Sequence, residues 1–174
     1  NHRVTVYDVA GVTDGENAVN VLGQSTFTGA SSANTQAGMN RPFGLAYDSA
    51  NSRLFVANFS NHRVTVYDVA GVTDGENATN VLGQSTFTAS SAATTQAGMY
   101  GPRGLAYDTT NNRLFVVDTT SNRVTLYDGL PISDGANAVD LLGQYSDTLA
   151  VTPVYTKGGI NNGSNTLGFN IPSD

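Results

Sequence analysis

The stretch Arg3–Thr28 reads RVTVYDVAGVTDGENAVNVLGQSTFT, and it returns at Arg63–Thr88 with a single change, Val19 to Thr79. A looser third copy starts at Arg123 and ends its short apolar run at Gly143-Gln144, as the earlier copies do at Gly23-Gln24 and Gly83-Gln84. Two further segments repeat at the same spacing: GLAYD at Gly44–Asp48 and Gly104–Asp108, and RLFV at Arg53–Val56 and Arg113–Val116. The period is 60 residues throughout.

One period holds four short segments with the length and the β-branched and aromatic content of strands: GLAYD, RLFVAN or RLFVVD, RVTVYD, and a run around AVNVLGQ. The intervening DSANS and DTTNN are hairpin material, because Asn and Asp tolerate the positive φ of tight turns. Val4 and Val6 alternate with Thr5 and Tyr7, and Leu54 and Val56 with Phe55 and Ala57, so both faces of these strands are partly apolar. A sheet with one wet face alternates more strictly. The pattern predicts small sheets stacked face to face, each covered by its neighbours.

Four strands per repeat suggest the blade of a β-propeller. The expected fold is all-β, a partial propeller of about three 60-residue blades, each of four antiparallel strands, with almost no helix. The extra length of the period over known propeller repeats fits at residues 9–17 and 25–41. A right-handed parallel β-helix is the alternative, and it needs shorter coils and more even spacing. The expected division is residues 1–40 (the end of one blade and a linker), 41–100 (the second blade and linker), 101–171 (the third blade and a longer linker) and 172–174 (the start of the next).

The chain has 174 residues, no Cys and a formal charge of -6, with Lys157 its single lysine. Disulfides and thiolate metal sites are therefore excluded. The acidic balance argues against nucleic acid or an anionic membrane as partner, and no apolar run reaches the length of a membrane span.

RPFGLAYD…RLFVANFS followed by NHRVTVYD resembles the NHL repeat, whose triplet here reads Asn61-His62-Arg63, and NVLGQSTFT resembles the extension that follows this repeat in many bacterial NHL proteins. The likeness spans nearly the whole chain, although the third copy reads Ser121-Asn122-Arg123 and lacks the histidine. The resemblance implies a propeller in which GLAYD lines the axis and the AVNVLGQ strand is outermost. The loops 58–62 and 25–41 would then share one face, the face that usually takes the partner in similar propellers. The turns 48–53 and the connections 9–17 would share the other. The family spans interaction modules, RNA binders, surface receptors and a zinc-dependent lyase, so it implies fold more than function.

Residues with chemistry are few. His2 and His62 are the only histidines. A zinc site wants three converging ligands, so a packing and turn-bonding role is expected of them. Asp14-Gly15-Glu16-Asn17, repeated at Asp74–Asn77 and as Asp134-Gly135-Ala136-Asn137, lacks the ligand number of a calcium loop and reads as a Gly-containing turn. Asp8, Asp48, Asp108 and Asp118 sit at strand ends and are expected to cap turns rather than act as acid–base pairs. No nucleophile-elbow pattern surrounds the serines. Asn58-Phe59-Ser60, Asn77-Ala78-Thr79 and Asn162-Gly163-Ser164 match the glycosylation acceptor pattern.

The remaining candidates are Arg41, Phe43, Phe59, Tyr100 and Arg103 on the presumed partner face, since Arg and aromatic residues are common interface anchors. Phe43 and Tyr100 could equally pack the start of each inner strand. The expected function is a non-catalytic structural or interaction module, extracellular or at a bacterial cell surface, needing no cofactor. Its expected partner is a protein, a glycan or copies of itself, and the chain itself is expected to be part of a longer one or of a homo-oligomer. The alternative is a lyase- or hydrolase-type enzyme whose axial metal site is completed by further blades.

Overall fold

The computed structural model describes residues 1–129, 131–145, 152–159, 169 and 172–173. Most of the longer linker expected after Gln144, the acceptor pattern at Asn162 and, of the expected start of a further blade, residue 174 lie outside them. Among the described residues the protein is all-β, in three antiparallel sheets. The first pairs β1 (Val4–Val6) with β2 (Asn20–Leu22). The second is a meander of β3 (Pro42–Asp48), β4 (Arg53–Asn58), β5 (Arg63–Asp68) and β6 (Asn80–Leu82). The third repeats it as β7 (Pro102–Asp108), β8 (Arg113–Asp118), β9 (Arg123–Asp128) and β10 (Asp140–Leu142). The sheets do not close into a ring, because the first holds only the two outer strands of a blade.

Local chemistry sets each turn. Asp48 Oδ1 accepts from the backbone N–H groups of Ala50 and Asn51, and Asp108 Oδ1 does the same for Thr110 and Asn111. These bonds hold the hairpins in the register Asp48↔Arg53 and Asp108↔Arg113. The second and third strands are joined by one 3-10 turn, Phe59–Asn61 or Thr119–Ser121, which ends in a left-handed residue, His62 or Asn122. Asn adopts that conformation readily, and His is also enriched there.

The sheets approach most closely along their first strands, β3 and β7. A side chain on Gly44 would collide with the carbonyl oxygen of Arg103, so only glycine lets the backbones meet there. Toward the outer strands the sheets diverge and apolar side chains fill the wedge. Leu22 and Met39 join Val56, Tyr67 and Ala78 in one core cluster, and Phe55, Val64, Leu82 and Met99 join Leu114, Tyr127 and Ala138 in another. Every residue of β5 from Arg63 to Tyr67 is buried, whereas the same sequence in β1 is only half-buried. Tyr67 is 0% exposed and its copy Tyr7 49%. Sequence is held constant in that comparison, so the burial comes from what surrounds the strand: β3 and β4 of its own sheet and the blades on either side. Full burial of one such large side chain contributes about 1.5–3 kcal/mol.

The linkers are held by an arginine that opens the third strand of each blade. Arg63 is fully buried. Its Nη2 donates to the carbonyls of Thr35 and Gly38, both at 2.8 Å, and its Nη1 donates to Asn34 and, in the linker that follows the blade, to Phe87. Arg123 reaches Thr95, Gly98 and Tyr155 in the same way and adds an ion pair with Asp118 at 2.8 Å. Arg3 meets only the later linker, at Phe27 and Gly29.

Arg63→Met leaves four carbonyls without their donor, at about 1–3 kcal/mol for each that stays dry. Urea unfolding is expected to show a loss of at least ~3 kcal/mol for that variant and under ~1 kcal/mol for Arg3→Met, whose carbonyl partners water can reach. Equal losses would contradict the bridging role given to Arg63.

Candidate functional site

The 3-10 turns and the linkers lie together on one face of the blades. Phe59 N–H donates to Arg41 O at 3.1 Å, Ser60 N–H to Asn40 O at 3.2 Å, and Asn61 Nδ2 to Ala33 O at 2.8 Å. The hairpin turns lie on the opposite face, where Val69 N–H meets Ser52 O at 2.7 Å. Between the second and third blades sharp changes of residue type fall on both faces: Val69-Ala70-Gly71 becomes Gly129-Leu130-Pro131 and Glu76 becomes Ala136 in the connection to the outer strand. Those on the linker face are Asn40 to Tyr100, Arg41 to Gly101, Phe43 to Arg103, Asn58 to Asp118, Phe59 to Thr119 and His62 to Asn122. At the hairpin turn the changes are mild: Ser49 to Thr109, Ala50 to Thr110, Ser52 to Asn112.

Four of the five sequence-selected residues come together there. The rings of Phe43 and Phe59 meet edge to face with centroids 5.5 Å apart. The Arg103 guanidinium lies 5.0 Å from each ring centroid, and that of Arg41 lies 5.1 Å from Phe59 and 5.8 Å from Phe43. Such stacking is worth about 0.5–1 kcal/mol where water reaches it. Among the described residues neither arginine has a carboxylate partner, unlike Arg53, Arg113 and Arg123. Arg41 and Phe43 are exposed, while Phe59 and Arg103 are half-buried. The cluster depends on Gly101, because a Cβ there would strike the Phe59 ring at 2.8 Å. At the matching position the second blade places Arg41 in the left-handed region, φ 51, a conformation that non-glycine residues seldom take.

Tyr100 stands apart from this cluster. Its ring packs edge to face on His62 at 5.3 Å and remains partly exposed. Leu45 and Tyr47 are exposed on the side of β3 that faces away from the third blade, and Phe43 is exposed as well, although Arg103 of the third blade stacks on its ring. In the third blade the copies Leu105 and Tyr107 pack on the second, Tyr107 stacking on Phe55 at 5.3 Å. A polar hollow of about 260 Å³, lined by Asn34, Asn40, Ser60 and Asn61 among others, sits beside Arg41 and Phe59.

The histidines bond turns. His2 Nδ1 accepts from Arg41 N–H at 2.9 Å and His62 Nδ1 from Gly101 N–H at 3.2 Å, tying each third strand to the start of the next blade. No group of three or more potential metal ligands occurs among the described residues. Asp8, Asp48 and Asp108 cap turns as their spacing implies. Asp118 does not, contrary to expectation. It is fully buried, pairs with Arg123 and accepts from Tyr100 N–H at 2.7 Å. Asn58 is also fully buried, with Nδ2 on Thr65 Oγ1 at 2.8 Å, so its acceptor pattern is closed to glycan transfer.

The Asp-Gly loops form turns and also do something the sequence reading missed. Asp74 Oδ1 accepts from Val21 N–H at 3.0 Å, and Asp134 Oδ1 from Val81 N–H at 3.0 Å, each reaching back to the outer strand of the preceding blade. Gln36 and Gln96 add a second kind of stitch, each exchanging two bonds with the backbone of Ala78 or Ala138. Recurrence at the 60-residue period was the available signal for both.

No protein-family model matches the chain, and no curated protein matches it. Among solved structures, a chain in the "Crystal structure of Nidogen/Laminin Complex" is similar at 19% identity over 54% of this chain and 30% of that chain, with a TM-score of 0.38. At that level the likeness carries no weight for function.

Burial lowers the pKa of His62 from the ordinary 6.5, against a weaker upward pull from Asp118. The unfolded chain then binds the proton more readily than the folded one, so stability rises with pH across this window. The contribution is complete above pH 6.5 and is lost as the pH falls below it toward the folded value. Thermal melts are expected to show this fall between neutral and mildly acid pH, and His62→Asn, the residue of the third copy, is expected to flatten it. An unchanged slope in that variant would remove His62 from the account.

Proposed function

We propose that the chain is a non-catalytic interaction module, and that its linker face docks a protein surface through Arg41, Phe43, Phe59 and Arg103, with Tyr100 at the margin. The supporting observation is the pair of guanidiniums stacked on two phenyl rings without a carboxylate of their own among the described residues. Arginine forks match carboxylates bidentately, and a guanidinium pre-ordered on a ring loses little freedom on binding. The left-handed Arg41 supports the reading too. A residue held there at an energetic cost, where the next copy has glycine, points to a use outside the fold. The partner chemistry is therefore a protein segment rich in Asp or Glu, with the adjoining Asn- and Ser-lined hollow taking polar groups of the same partner or of a glycan. A lysine-poor, acidic chain of repeats suits an extracellular or bacterial cell-surface setting.

Titration with an oligo-glutamate peptide tests this. The protein is expected to bind it in a salt-sensitive manner. Arg41→Gly is expected to weaken binding at least about tenfold while changing stability by under ~1 kcal/mol, since relief of the positive φ offsets the lost stacking. Arg103→Ala is expected to weaken it similarly. Binding that survives both substitutions, or no binding by the unaltered protein, would overturn the proposal. Stoichiometric zinc or calcium in the purified protein would instead favour an enzyme.

A further inference from the structure

The two internal junctions show what covers the leading side of a blade. Tyr67, Val72 and Ala78 of the second blade lie in one cluster with Val4, Leu22 and Met39 of the first blade and its linker, and Asp74 latches onto the outer strand at Val21 N–H and Asn20 Nδ2. At the next junction Tyr127, Ile132 and Ala138 cluster with Leu82 and Met99, and Asp134 latches onto Val81 N–H and Asn80 Nδ2. The first blade carries the same leading side. Tyr7, Val9 and Val12 are exposed, and the Asp14 carboxylate accepts no hydrogen bond among the described residues.

The trailing side of the third blade keeps the apolar half of the receiving surface. Val124 and Leu142 stand where Val64 and Leu82 stand in the second blade, and Leu142 is 41% exposed. Its polar half is changed. The asparagine of the latch, Asn20 and Asn80, has become Asp140, whose own Oδ1 accepts from Leu141 N–H at 2.8 Å. Leu141 N–H is the donor that matches Val21 and Val81. An incoming aspartate would find that donor taken and a like charge where an amide should donate.

We infer that the open side of the first blade is a docking surface for a blade of this same repeat whose outer strand carries asparagine, and that Asp140 bars the third blade from that role. The surface thus discriminates between blades. It accepts the chemistry of the first and second outer strands, and it refuses a second copy joined head to tail through the third. The inference is independent of the binding face proposed above, because the latch residues lie on the outer strands and their connections.

Sedimentation velocity over a concentration series tests it, with the protein as its own probe. Asp140→Asn restores the latch and is expected to strengthen head-to-tail self-association at least about tenfold over the unaltered protein. Adding Asp14→Ala to that variant is expected to reverse the gain, and circular dichroism would show that all three forms keep the β fold. Two results would overturn the inference: an Asp140→Asn variant that associates no more than the unaltered protein, or a gain that persists after Asp14 is removed.

Discussion

A buried guanidinium at the start of each blade's third strand is the contact on which the rest depends. Taking a charge out of water is expensive, and among the described residues Arg63 has no carboxylate to offset that cost. Backbone carbonyls from two linkers do so instead, from Asn34, Thr35 and Gly38 before the blade and Phe87 after it. Long polar connections rich in Ser, Thr and Ala cannot bury enough apolar surface to order themselves. Here they are ordered because their carbonyls serve as ligands of an arginine. The same connections bring Asn40 and Arg41 against the 3-10 turn at Phe59, so one stretch of linker both solvates Arg63 and builds the face that carries the aromatic–arginine cluster.

Arg123 solves the problem differently. It adds the Asp118 carboxylate, and burial pushes that carboxyl's pKa up while the adjacent arginine pulls it down. The second blade has Asn58 at that position, bonded to Thr65 and Asn40. Two nearly identical blades therefore carry a neutral and a charged version of one buried network, and the neutral one leaves a donor unmet: Arg123 Nε donates to Asp118, whereas Arg63 Nε is buried without a hydrogen-bond partner.

Strand identity and order were legible because RVTVYD, GLAYD and RLFV recur at one period and are apolar on both faces. The short outer strands were legible only as apolar runs, and they end at Leu22, Leu82 and Leu142 where the sequence pattern extends to Gly-Gln. Of the candidate face, residue types and side were legible, but convergence was not. Arg103 belongs to a different blade from Phe43 and Phe59, and nothing in a linear pattern says how closely β3 and β7 approach. Asp118 was misread because it ends a strand as Asp48 does. Its copy is Asn58, however, and the five-residue step from Asp118 to Arg123 matches that from Asp48 to Arg53, which also form an ion pair. The latch of Asp74 was hidden behind ordinary turn chemistry, since an Asp-Gly turn and an edge-capping carboxylate look the same in one dimension.

The outer hairpins β1–β2 and β5–β6 share both sequence and register, Val4↔Leu22 matching Val64↔Leu82 and Val6↔Asn20 matching Val66↔Asn80. Each strand therefore has two partners of equal local energy, one near in the chain and one a full period away. Loop-closure entropy favours the nearer, but only weakly, because its cost grows with the logarithm of loop length. A chain diluted from denaturant all at once meets both choices together and partitions between native and exchanged pairings. A chain leaving the ribosome closes β1 on β2 before Arg63 exists, and so removes the wrong partner by order of appearance.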